Sequence, residues 1–511
     1  MCKQTKQVNW SSFVLPSIVI IALITLFIVR SFFQTAWADE VFTMGLIRHS
    51  YLDVIKLDAM DVHPPLYYLI LKPFVDVFGG HSVLQQMFVA RLVSIIPIGL
   101  IVFVMNNEIK KMNISLATRL WLSVIFLSLP NMFHFAVEIR MYAWGALFVF
   151  AAYLCGVKIL TNTNLKMNYL GLSLFSIFAA YTHYFCAIAV AMILAYLFGY
   201  YLIKRQFIYM LRPVLAGVAI LIGYLPWLLI VISQVTTVKG SYWIAPITAF
   251  NVLTFIIAPF KDPGDDFNKY LTVFVGLVLL GLFALILVKS RKQLQARIND
   301  LFIANQALLL SLFIFFGTIV FGVTVSILMR PVMVGRYLFP TLPGVWFGIY
   351  VFFLKGFNNQ KWARPQMLKF GLPSLAILMM LVSTFSIIKH DIPFEMKNRA
   401  ELVKLISKVD ANEGVKFNVG ARAANDSKTV ETQIEDDMAV YVSKPVYFDN
   451  VRLAMRQKAQ TELKAGINPN IKMYKPAKGA KLVQLKVVRN EKQIKSSSIV
   501  VTIQGVKLIV E

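Results

Sequence analysis

Long apolar runs recur along this chain until about residue 388, and hydrophobic residues make up 58% of its 511 positions. Each run is long enough to cross a hydrocarbon layer of ~30 Å as a helix. Inside a bilayer every backbone N–H and C=O needs a partner within the protein, and a helix supplies those partners itself. We therefore predict a mainly α, polytopic membrane protein with about eleven spans. The predicted spans are residues 12–33, 87–107, 115–131, 140–160, 168–181, 184–203, 212–234, 270–288, 305–328, 334–354 and 369–388.

The formal net charge of +25 would suggest nucleic-acid binding in a chain without membrane spans. Here most Lys and Arg residues fall in alternate short loops, and the positive-inside rule makes those loops cytoplasmic. The N-terminus is then cytoplasmic, and an odd number of spans places the C-terminal tail outside. The loops that face outward begin with 34–86 and include 131–139, 235–269 and 329–335. We predict a multi-pass protein of the cell membrane that meets the lipid bilayer and no nucleic acid.

The character of the sequence changes at about residue 389. Residues 396–408 have the helical period, whereas 482–488 and 498–510 alternate or are rich in β-branched residues, as strands are. A segment of about 120 residues is long enough to bury a core of its own. We therefore predict two domains, a transmembrane domain at 1–388 and a small extracytoplasmic α+β domain at 389–511.

Unusual polar residues beside the spans share one predicted membrane face. They come from six segments, whereas charges that only anchor helices would be scattered over both faces. We interpret this convergence as a site at the outer boundary of the membrane. The residues are Asp39, Glu40, Asp58, Asp61, His63, Arg91, His134, Glu138, Arg140, Tyr142, His183, Asp262, Asp265, Asp266, Arg330, Arg336 and Tyr337.

The first external loop contains the two most specific parts of this set. In Asp39-Glu40 one carboxylate has the chemistry to take a proton from a hydroxyl while the other holds a sugar or a backbone group. A simple helix cap after the first span is the alternative. In the Asp-x-His-Pro-Pro motif at 61–65 the prolines fix a turn and then permit a new helix, which holds His63 at the interface. An interfacial helix anchored by tyrosines is the alternative there.

Three further segments carry candidates that also have a structural interpretation. Glu138 and Tyr142 are four apart on one helical face with Arg140 roughly opposite, and Arg140 suits either a phosphate or an ion pair. His183 interrupts one long apolar region, where a turn residue is the favoured interpretation. Arg336 opens the tenth span, where a guanidinium suits a phosphate or diphosphate, or extends to the interface as an anchor.

The acidic loop at 262–266 is a candidate site for a divalent cation, because hard carboxylate oxygens cluster there. Acidic turns with Pro and Gly are also common for conformational reasons. Cys2, Cys155 and Cys186 have neither metal-ligand spacing nor the pattern of a disulfide framework. The sequence therefore predicts no definite cofactor.

In this order, the motifs resemble those of the C-type membrane glycosyltransferases. They are similar in particular to bacterial relatives of the protein O-mannosyltransferases and to the lipid A aminoarabinose transferases, a glycosyltransferase family 39-like group. The resemblance covers residues 1 to about 388, and the acidic pair together with the His-Pro-Pro segment is its specific part. The motifs are Asp39-Glu40, Asp61-x-His63-Pro64-Pro65-Leu66-Tyr67-Tyr68, Ala90-Arg91-Leu92, Glu138-x-Arg140-x-Tyr142, Thr182-His183-Tyr184 and Gly335-Arg336-Tyr337-x-x-Pro340.

This resemblance implies a glycosyltransferase of the hexosyltransferase type that uses a polyprenyl-phosphate sugar donor. The sugar would pass, with inversion, to an acceptor hydroxyl on envelope glycan, lipid or protein at the outer leaflet. Asp39 is then the expected general base, and Glu40 positions donor or acceptor. Leu-Tyr-Tyr follows His-Pro-Pro where protein mannosyltransferases commonly carry Gly-Lys, which weakens the case for a protein acceptor. The other expected substrate-binding residues are Asp61, His63, Arg91, Glu138, Arg140, Tyr142, His183, Arg336 and Tyr337.

A transporter or flippase for a lipid-linked or anionic substrate is the alternative function, because Arg and Asp residues beside spans also suit it. Transporters usually have duplicated halves, broken helices and polar groups near the middle of the bilayer, and these features are not evident in the sequence. A membrane scaffold whose C-terminal domain is the active part ranks third. It gives no reason for carboxylates, His and Arg to converge on one face.

Overall fold

A computed structural model describes most of the chain. The described residues are 11–238, 244, 246–260, 305–358, 371–418, 440–447, 478–487, 499–503 and 506–510. The predicted span at 270–288 and the acidic loop at 262–266 lie outside these ranges.

Helices dominate the described part of the chain. The α-helices are α1 Ser11–Phe33, α2 Ala38–Leu46, α3 Tyr51–Ala59, α4 Leu66–Phe78, α5 Val83–Lys110, α6 Leu116–Leu127, α7 Pro130–Phe135, α8 Tyr142–Leu160, α9 Leu165–Thr182, α10 Tyr184–Ile203, α11 Phe207–Val238, α12 Ala249–Ile256, α13 Gln306–Leu328, α14 Leu342–Asn358, α15 Leu372–Ser386 and α16 Ile392–Asp410. Short 3-10 helices occupy Ala258–Phe260 and Gly335–Thr341, and a π-helical turn occupies Ile387–Asp391.

Eight helical stretches in the described ranges are long and apolar enough to cross a membrane. Each overlaps a span predicted from the sequence, so the polytopic, mainly α architecture is confirmed. Of the other predictions, 115–131 corresponds to the shorter apolar helix α6 and 168–181 to α9. The eight stretches are Phe13–Phe33, Val83–Lys110, Tyr142–Leu160, Tyr184–Ile203, Phe207–Gln234, Gln306–Leu328, Gly335–Lys355 and Leu372–Asp410.

Local sequence explains where several helices begin and end. The Ser50 hydroxyl caps α3 by accepting a hydrogen bond from the Asp53 N–H at 3.2 Å. The proline pair of the 61–65 motif is followed at once by α4, as predicted. At His183 the backbone is extended, with φ −161° and ψ 143°, and this residue separates α9 from α10. These residues therefore determine where α3, α4 and α10 begin.

The chain forms two compact units by the density of its internal contacts. Unit 1 comprises Met1–Ile28, Ser94–Val137 and Met141–Ser386, and unit 2 comprises Val29–Val93, Glu138–Arg140 and Ile387–Glu511. Unit 2 therefore combines the segment after the first span with the C-terminal tail. The division into domains at 1–388 and 389–511 remains a prediction.

In unit 1, α8 is a central helix that packs against α9, α10, α13, α14 and the Gly335–Thr341 segment. Its Gly145 allows the close approach of α10, because a Cβ at this position would come within 2.7 Å of the Cys186 Sγ. Small residues at helix contacts are the usual means of close packing between membrane helices.

In unit 2, the described strands of the tail form a five-stranded sheet against α16. The sheet order is β2-β1-β3-β5-β4, with β1 parallel to β2 and β3, and β5 antiparallel to β3 and β4. Leu402, Leu405 and Val409 of α16 are buried, as are Val415 and Leu485 of the sheet. The small α+β fold predicted for the tail is thereby confirmed. The strands are β1 Gly414–Asn418, β2 Val446–Tyr447, β3 Leu482–Val487, β4 Ile499–Ile503 and β5 Val506–Val510.

Candidate active site

Asp39 and Glu40 lie in the first turn of α2. The linker 34–37, which joins α1 to α2, is neither helix nor strand. Carboxylates are favoured in a first helical turn because its backbone N–H groups carry partial positive charge. Glu40 accepts a hydrogen bond from the Trp37 N–H at 3.3 Å. The helix-cap alternative from the sequence therefore describes part of what Glu40 does.

Glu40 is also one half of a buried ion pair. Its side chain and that of Arg91 are 0% and 1% exposed, and Arg91 Nη2 donates to Glu40 Oε2 over 2.8 Å. The Ile139 N–H donates to the other carboxylate oxygen, also over 2.8 Å. Removing either ion would leave an uncompensated buried charge, so such a pair holds its partners firmly in place. Glu40 and Arg91 thus fix α2 and segment 138–140 in one arrangement.

Asp39 has the opposite surroundings, since 30% of its side chain is exposed. Arg140 Nη2 lies 4.0 Å from the carboxylate oxygen Oδ2, and Arg140 Nη1 donates to the Asp39 backbone carbonyl over 3.2 Å. The same Nη1 donates to the Thr43 hydroxyl at 3.2 Å and to the Tyr68 hydroxyl at 3.4 Å. The result is a fixed guanidinium beside an accessible carboxylate.

Asp61 and His63 extend this network from Arg140. His63 Nδ1 lies 2.9 Å from Asp61 Oδ2, and His63 Nε2 lies 3.2 Å from Arg140 Nη2. A guanidinium has only donors, so Nε2 accepts from Arg140 and the ring proton sits on Nδ1, where it is donated to Asp61. This tautomer is assigned from the hydrogen-bond network. It makes His63 a neutral link between a carboxylate and a guanidinium.

Two carboxyl groups of this loop have pKa values shifted in opposite directions. Burial raises the pKa of Asp58 well above its ordinary value, the charge of Asp61 raises it further, and Arg140 opposes the shift. Burial acts on Asp61 in the same sense, but the hydrogen bonds from His63 and the Val62 N–H, together with the charge of Arg140, outweigh it and lower the Asp61 pKa. When two carboxyl groups share a site, the pKa of one is commonly raised while the other stays charged.

Three buried side chains of unit 2 were missed by the sequence analysis. The Thr43 hydroxyl lies between Arg140 and the Asp39 carbonyl, to which it donates over 2.9 Å. Tyr68 was considered only as an interfacial anchor, but it is fully buried. Lys72 is buried too, and its Nζ donates over 2.9 Å to the carbonyl of Ile47, the residue that follows α2. A lysine within the apolar helix α4 was the signal that could have identified it.

Three of the predicted residues form an aromatic cluster in unit 1. The ring centroid of His183 lies 4.7 Å from that of Tyr337 and 5.9 Å from that of Tyr142. His183 Nδ1 accepts a hydrogen bond from the Phe185 N–H over 3.1 Å and so caps α10. The favoured interpretation of His183 as a turn residue agrees with this geometry. All three rings are buried.

Arg336 lines a cavity of about 390 Å³ in unit 1. It belongs to the 3-10 helix that precedes α14, consistent with its predicted place at the start of the tenth span. An apolar cavity with a few polar groups is the usual form of a ligand site. The other lining residues include Asn131, Phe135, Ile244, Asn251, Phe255 and Met333.

The predicted site residues divide between the two units. The expectation that Glu138 and Tyr142 share a helical face is wrong, because α8 begins only at Tyr142. The physical reason is that the Ile139 N–H donates to Glu40 instead of to a helical carbonyl. Glu138 itself is buried. Unit 2 contains Asp39, Glu40, Asp61, His63, Arg91, Glu138 and Arg140, and unit 1 contains Tyr142, His183, Arg336 and Tyr337.

Among the described residues, no group of three or more His, Cys, Asp or Glu side chains is arranged to hold a metal ion. The acidic loop at 262–266, which the sequence offers as a cation site, lies outside the described ranges. Cys155 and Cys186 are both free and buried.

The fold of this chain is that of ArnT, a protein of known structure. Two crystal structures of ArnT from Cupriavidus metallidurans are similar to this chain, and ArnT is one of the lipid A aminoarabinose transferases that the motifs resemble. The apo structure has a TM-score of 0.53 and 13% sequence identity over 97% of each chain. The structure bound to undecaprenyl phosphate has a TM-score of 0.55 with the same identity and coverage. No family model and no curated protein matches the chain.

Proposed function

We propose that this protein is a membrane glycosyltransferase of the hexosyltransferase type, which moves a sugar from a polyprenyl-phosphate-linked donor to an acceptor hydroxyl. Asp39 removes the hydroxyl proton while the oxygen bonds to the anomeric carbon. The bond from that carbon to the phosphate oxygen breaks, and polyprenyl phosphate leaves with the electron pair. A single displacement of this kind inverts the anomeric carbon, and the proton remains on Asp39 until solvent removes it.

The observation that carries this proposal is the accessible carboxylate of Asp39 beside a fixed guanidinium. The Asp39 side chain is 30% exposed, whereas that of Arg140 is 2% exposed. A general base must reach its proton directly or through one water, and this exposure permits it. Arg140 holds the Asp39 backbone and keeps a positive charge near the carboxylate.

We propose Arg336 as the ligand of the donor phosphate. It lines a largely apolar cavity, and a guanidinium can bridge two phosphate oxygens. The undecaprenyl phosphate bound to ArnT, a protein of the same fold, supports a donor of this chemistry. Arg91 is neutralised by Glu40, and Arg140 is engaged with Asp39 and His63, so both serve better as positioning residues.

The remaining predicted residues support these two groups in our proposal. Asp61 and His63 hold Arg140 through their hydrogen bonds, and Glu40 holds α2 through Arg91. The Arg336 guanidinium lies over the Tyr337 ring at 5.9 Å from its centroid, within the aromatic cluster formed with Tyr142 and His183. Such a contact restricts the guanidinium before a ligand arrives.

We place the reaction at the outer face of the cell membrane, opposite the loops rich in Lys and Arg. The N-terminus is cytoplasmic and the tail extracytoplasmic in this proposal. The acceptor is a hydroxyl of envelope glycan, glycolipid or protein. The Leu-Tyr-Tyr that follows His-Pro-Pro favours the first two.

The direct test incubates the purified protein with a panel of polyprenyl-phosphate sugars and follows each donor by mass spectrometry. We expect loss of one sugar donor and release of polyprenyl phosphate, with the Asp39→Asn variant as the inactive control. If no donor is cleaved but an intact labelled donor crosses a liposome membrane, the protein is a transporter and the transferase proposal fails.

A further inference from the structure

The linker 34–37 leads directly into the first turn of α2, which contains Asp39, but has no secondary structure to satisfy its own backbone. Buried N–H groups need partners, so the partners identify what holds such a segment. The Thr35 N–H donates to Glu395 Oε2 over 2.9 Å, and the Ala36 N–H donates to the Tyr441 hydroxyl over 2.6 Å. The Trp37 N–H donates to Glu40. Each of these three consecutive amides therefore donates to a side chain. Two of the three accepting side chains belong to the C-terminal tail.

The contacts to Glu395 and Tyr441 lie within unit 2; the contact to Glu395 is partly buried, and the contact to Tyr441 is buried. Ala36 and Tyr441 are 4% and 1% exposed. The Thr35 hydroxyl also donates to Glu395 Oε2 over 2.9 Å, so one carboxylate oxygen receives two hydrogen bonds. A hydrogen bond to a charged acceptor is roughly twice as strong as one between neutral groups.

The tail also holds the other end of α2. Arg48 lies two residues after Leu46, the last residue of α2. Its Nη2 donates to the Val440 carbonyl over 2.7 Å. Val440 precedes Tyr441, so one short segment of the tail contacts the chain on both sides of α2. Asn398 joins α16 to the sheet by exchanging two hydrogen bonds of 2.8 Å with the Thr502 backbone. The Glu395 contact is thus supported by the sheet.

From these contacts we infer that the C-terminal tail fixes the position of residues 34–40, which contain Asp39. Glu395 and Tyr441 are then positioning residues for Asp39. The inference rests on the proposed function, because it gives Asp39 the role of base. Glu395 fixes Thr35, whose carbonyl accepts from Arg91 at 3.3 Å, and Arg91 in turn holds Glu40 beside Asp39. Glu395 and Tyr441 therefore affect the rate of transfer through the position of Asp39.

The test compares four variants of the full-length protein. Tyr441→Phe removes only the hydroxyl that accepts from Ala36, and Glu395→Ala removes the acceptor for Thr35. Glu395→Gln is the conservative variant, because its amide oxygen can still accept. Glu401→Ala is the matched control, since Glu401 lies on the same helix but pairs at the surface with Lys404 over 2.7 Å.

The first readout is hydrogen exchange of a peptide that covers residues 34–41, which needs no substrate. Amides that lose a buried hydrogen bond open more often and exchange faster. We expect exchange to rise about tenfold in Tyr441→Phe and Glu395→Ala, and to stay near wild type in Glu395→Gln and Glu401→Ala. Unchanged exchange in Tyr441→Phe and Glu395→Ala would overturn the inference that the tail fixes residues 34–40, whatever reaction the protein catalyses.

The second readout is turnover with the donor identified by the panel. We expect Glu395→Ala to lower kcat about tenfold with an unchanged KM for the donor, because misplacing a catalytic group affects the chemical step. In an Asp39→Asn background the same change should lower turnover less than about twofold, since the group it positions is gone. A full tenfold loss in that background would overturn positioning through Asp39. Normal turnover of the Asp39→Asn single variant would reject the proposed function. The hydrogen-exchange result would still test whether the tail fixes residues 34–40.

Discussion

At the scale of single residues, Asp39 and Glu40 are sequence neighbours that the fold places in opposite surroundings. Glu40 is completely buried and neutralised by Arg91, with its second oxygen bound to the Ile139 N–H. Asp39 keeps part of its side chain in contact with solvent and has Arg140 at 4.0 Å. One acid of the pair therefore maintains the structure, and the other is available for chemistry.

Arg336 gives a prediction about phosphate binding. Arg336→Ala should weaken donor affinity at least about tenfold, and Arg336→Lys should weaken it less, because an ammonium remains a point charge but cannot bridge two phosphate oxygens. Donor affinity can be measured by isothermal titration with the polyprenyl-phosphate sugar in detergent. Arg330→Ala is the control, since Arg330 lies in the segment just before the 3-10 helix that contains Arg336 and is not among the residues that line the cavity. Equal affinity in wild type and Arg336→Ala would reject this role.

Asp58 gives a prediction about pH. Its folded-state pKa is raised well above 3.8, so the folded protein binds this proton more tightly than the unfolded chain does. That contribution to stability is complete below the unfolded pKa and is lost as pH rises through the folded pKa. Asp58→Asn stays neutral throughout. Its thermal unfolding midpoint in detergent should therefore rise relative to wild type between about pH 5 and pH 8.

The control for Asp58 is Asp53→Asn, on the exposed face of the same helix α3. Its midpoint should follow the wild-type curve at both pH values. Parallel curves for Asp58→Asn and wild type would mean that burial does not penalise the Asp58 carboxylate.

At the scale of elements, α2 is held to α5 by the buried pair of Glu40 and Arg91. Arg91→Met should destabilise the protein by ~3–5 kcal/mol, because it leaves the Glu40 carboxylate buried without its cation. Adding Glu40→Gln to this variant should restore part of the loss, since the uncompensated charge is then removed. Thermal unfolding in detergent measures both changes.

The control for the buried pair is Lys404→Ala, which breaks the exposed pair with Glu401 and should cost about 0–1 kcal/mol. If Arg91→Met unfolds like this control, the pair does not hold α2 to α5.

Element boundaries were predictable where one residue decides them. The proline pair before α4, His183 between α9 and α10, and the helical period of 396–408 within α16 all predicted the elements that form. The start of α8 was predicted two residues early because 138–140 has a composition that helices accept. A distant partner, the Glu40 carboxylate, takes the Ile139 N–H, and sequence periodicity carries no information about it.

At the scale of the whole molecule, the membrane spans and the α+β tail were predictable because both follow from local hydrophobic patterns. The contacts of Thr35 with Glu395 and of Ala36 with Tyr441 join residues 360 and 405 positions apart. No spacing rule links positions so far apart. The candidate site was therefore predictable as a set of residue types, but its partners and the exposure of each acid were not.

The orientation of the chain gives a prediction that can be tested in intact cells. Replacing the native cysteines with Ser and adding Lys478→Cys should give a protein that an impermeant thiol reagent labels, because the tail is predicted to lie outside. Thr163→Cys, in the short loop between α8 and α9 that Lys158 and Lys166 flank, should be labelled only after the cells are permeabilised. Both positions are exposed in the structure. The reverse pattern would contradict an outward-facing site.

The central claim is that Asp39 is the general base for sugar transfer. The measurement that tests it most directly is turnover of the Asp39→Asn variant with its polyprenyl-phosphate sugar donor, followed by mass spectrometry. Asn keeps the size of the side chain but cannot accept the proton, so turnover should fall by roughly 10²-fold or more while donor affinity is unchanged. Near-normal turnover in a variant of normal abundance would contradict the account, because Asp39 would then only begin helix α2.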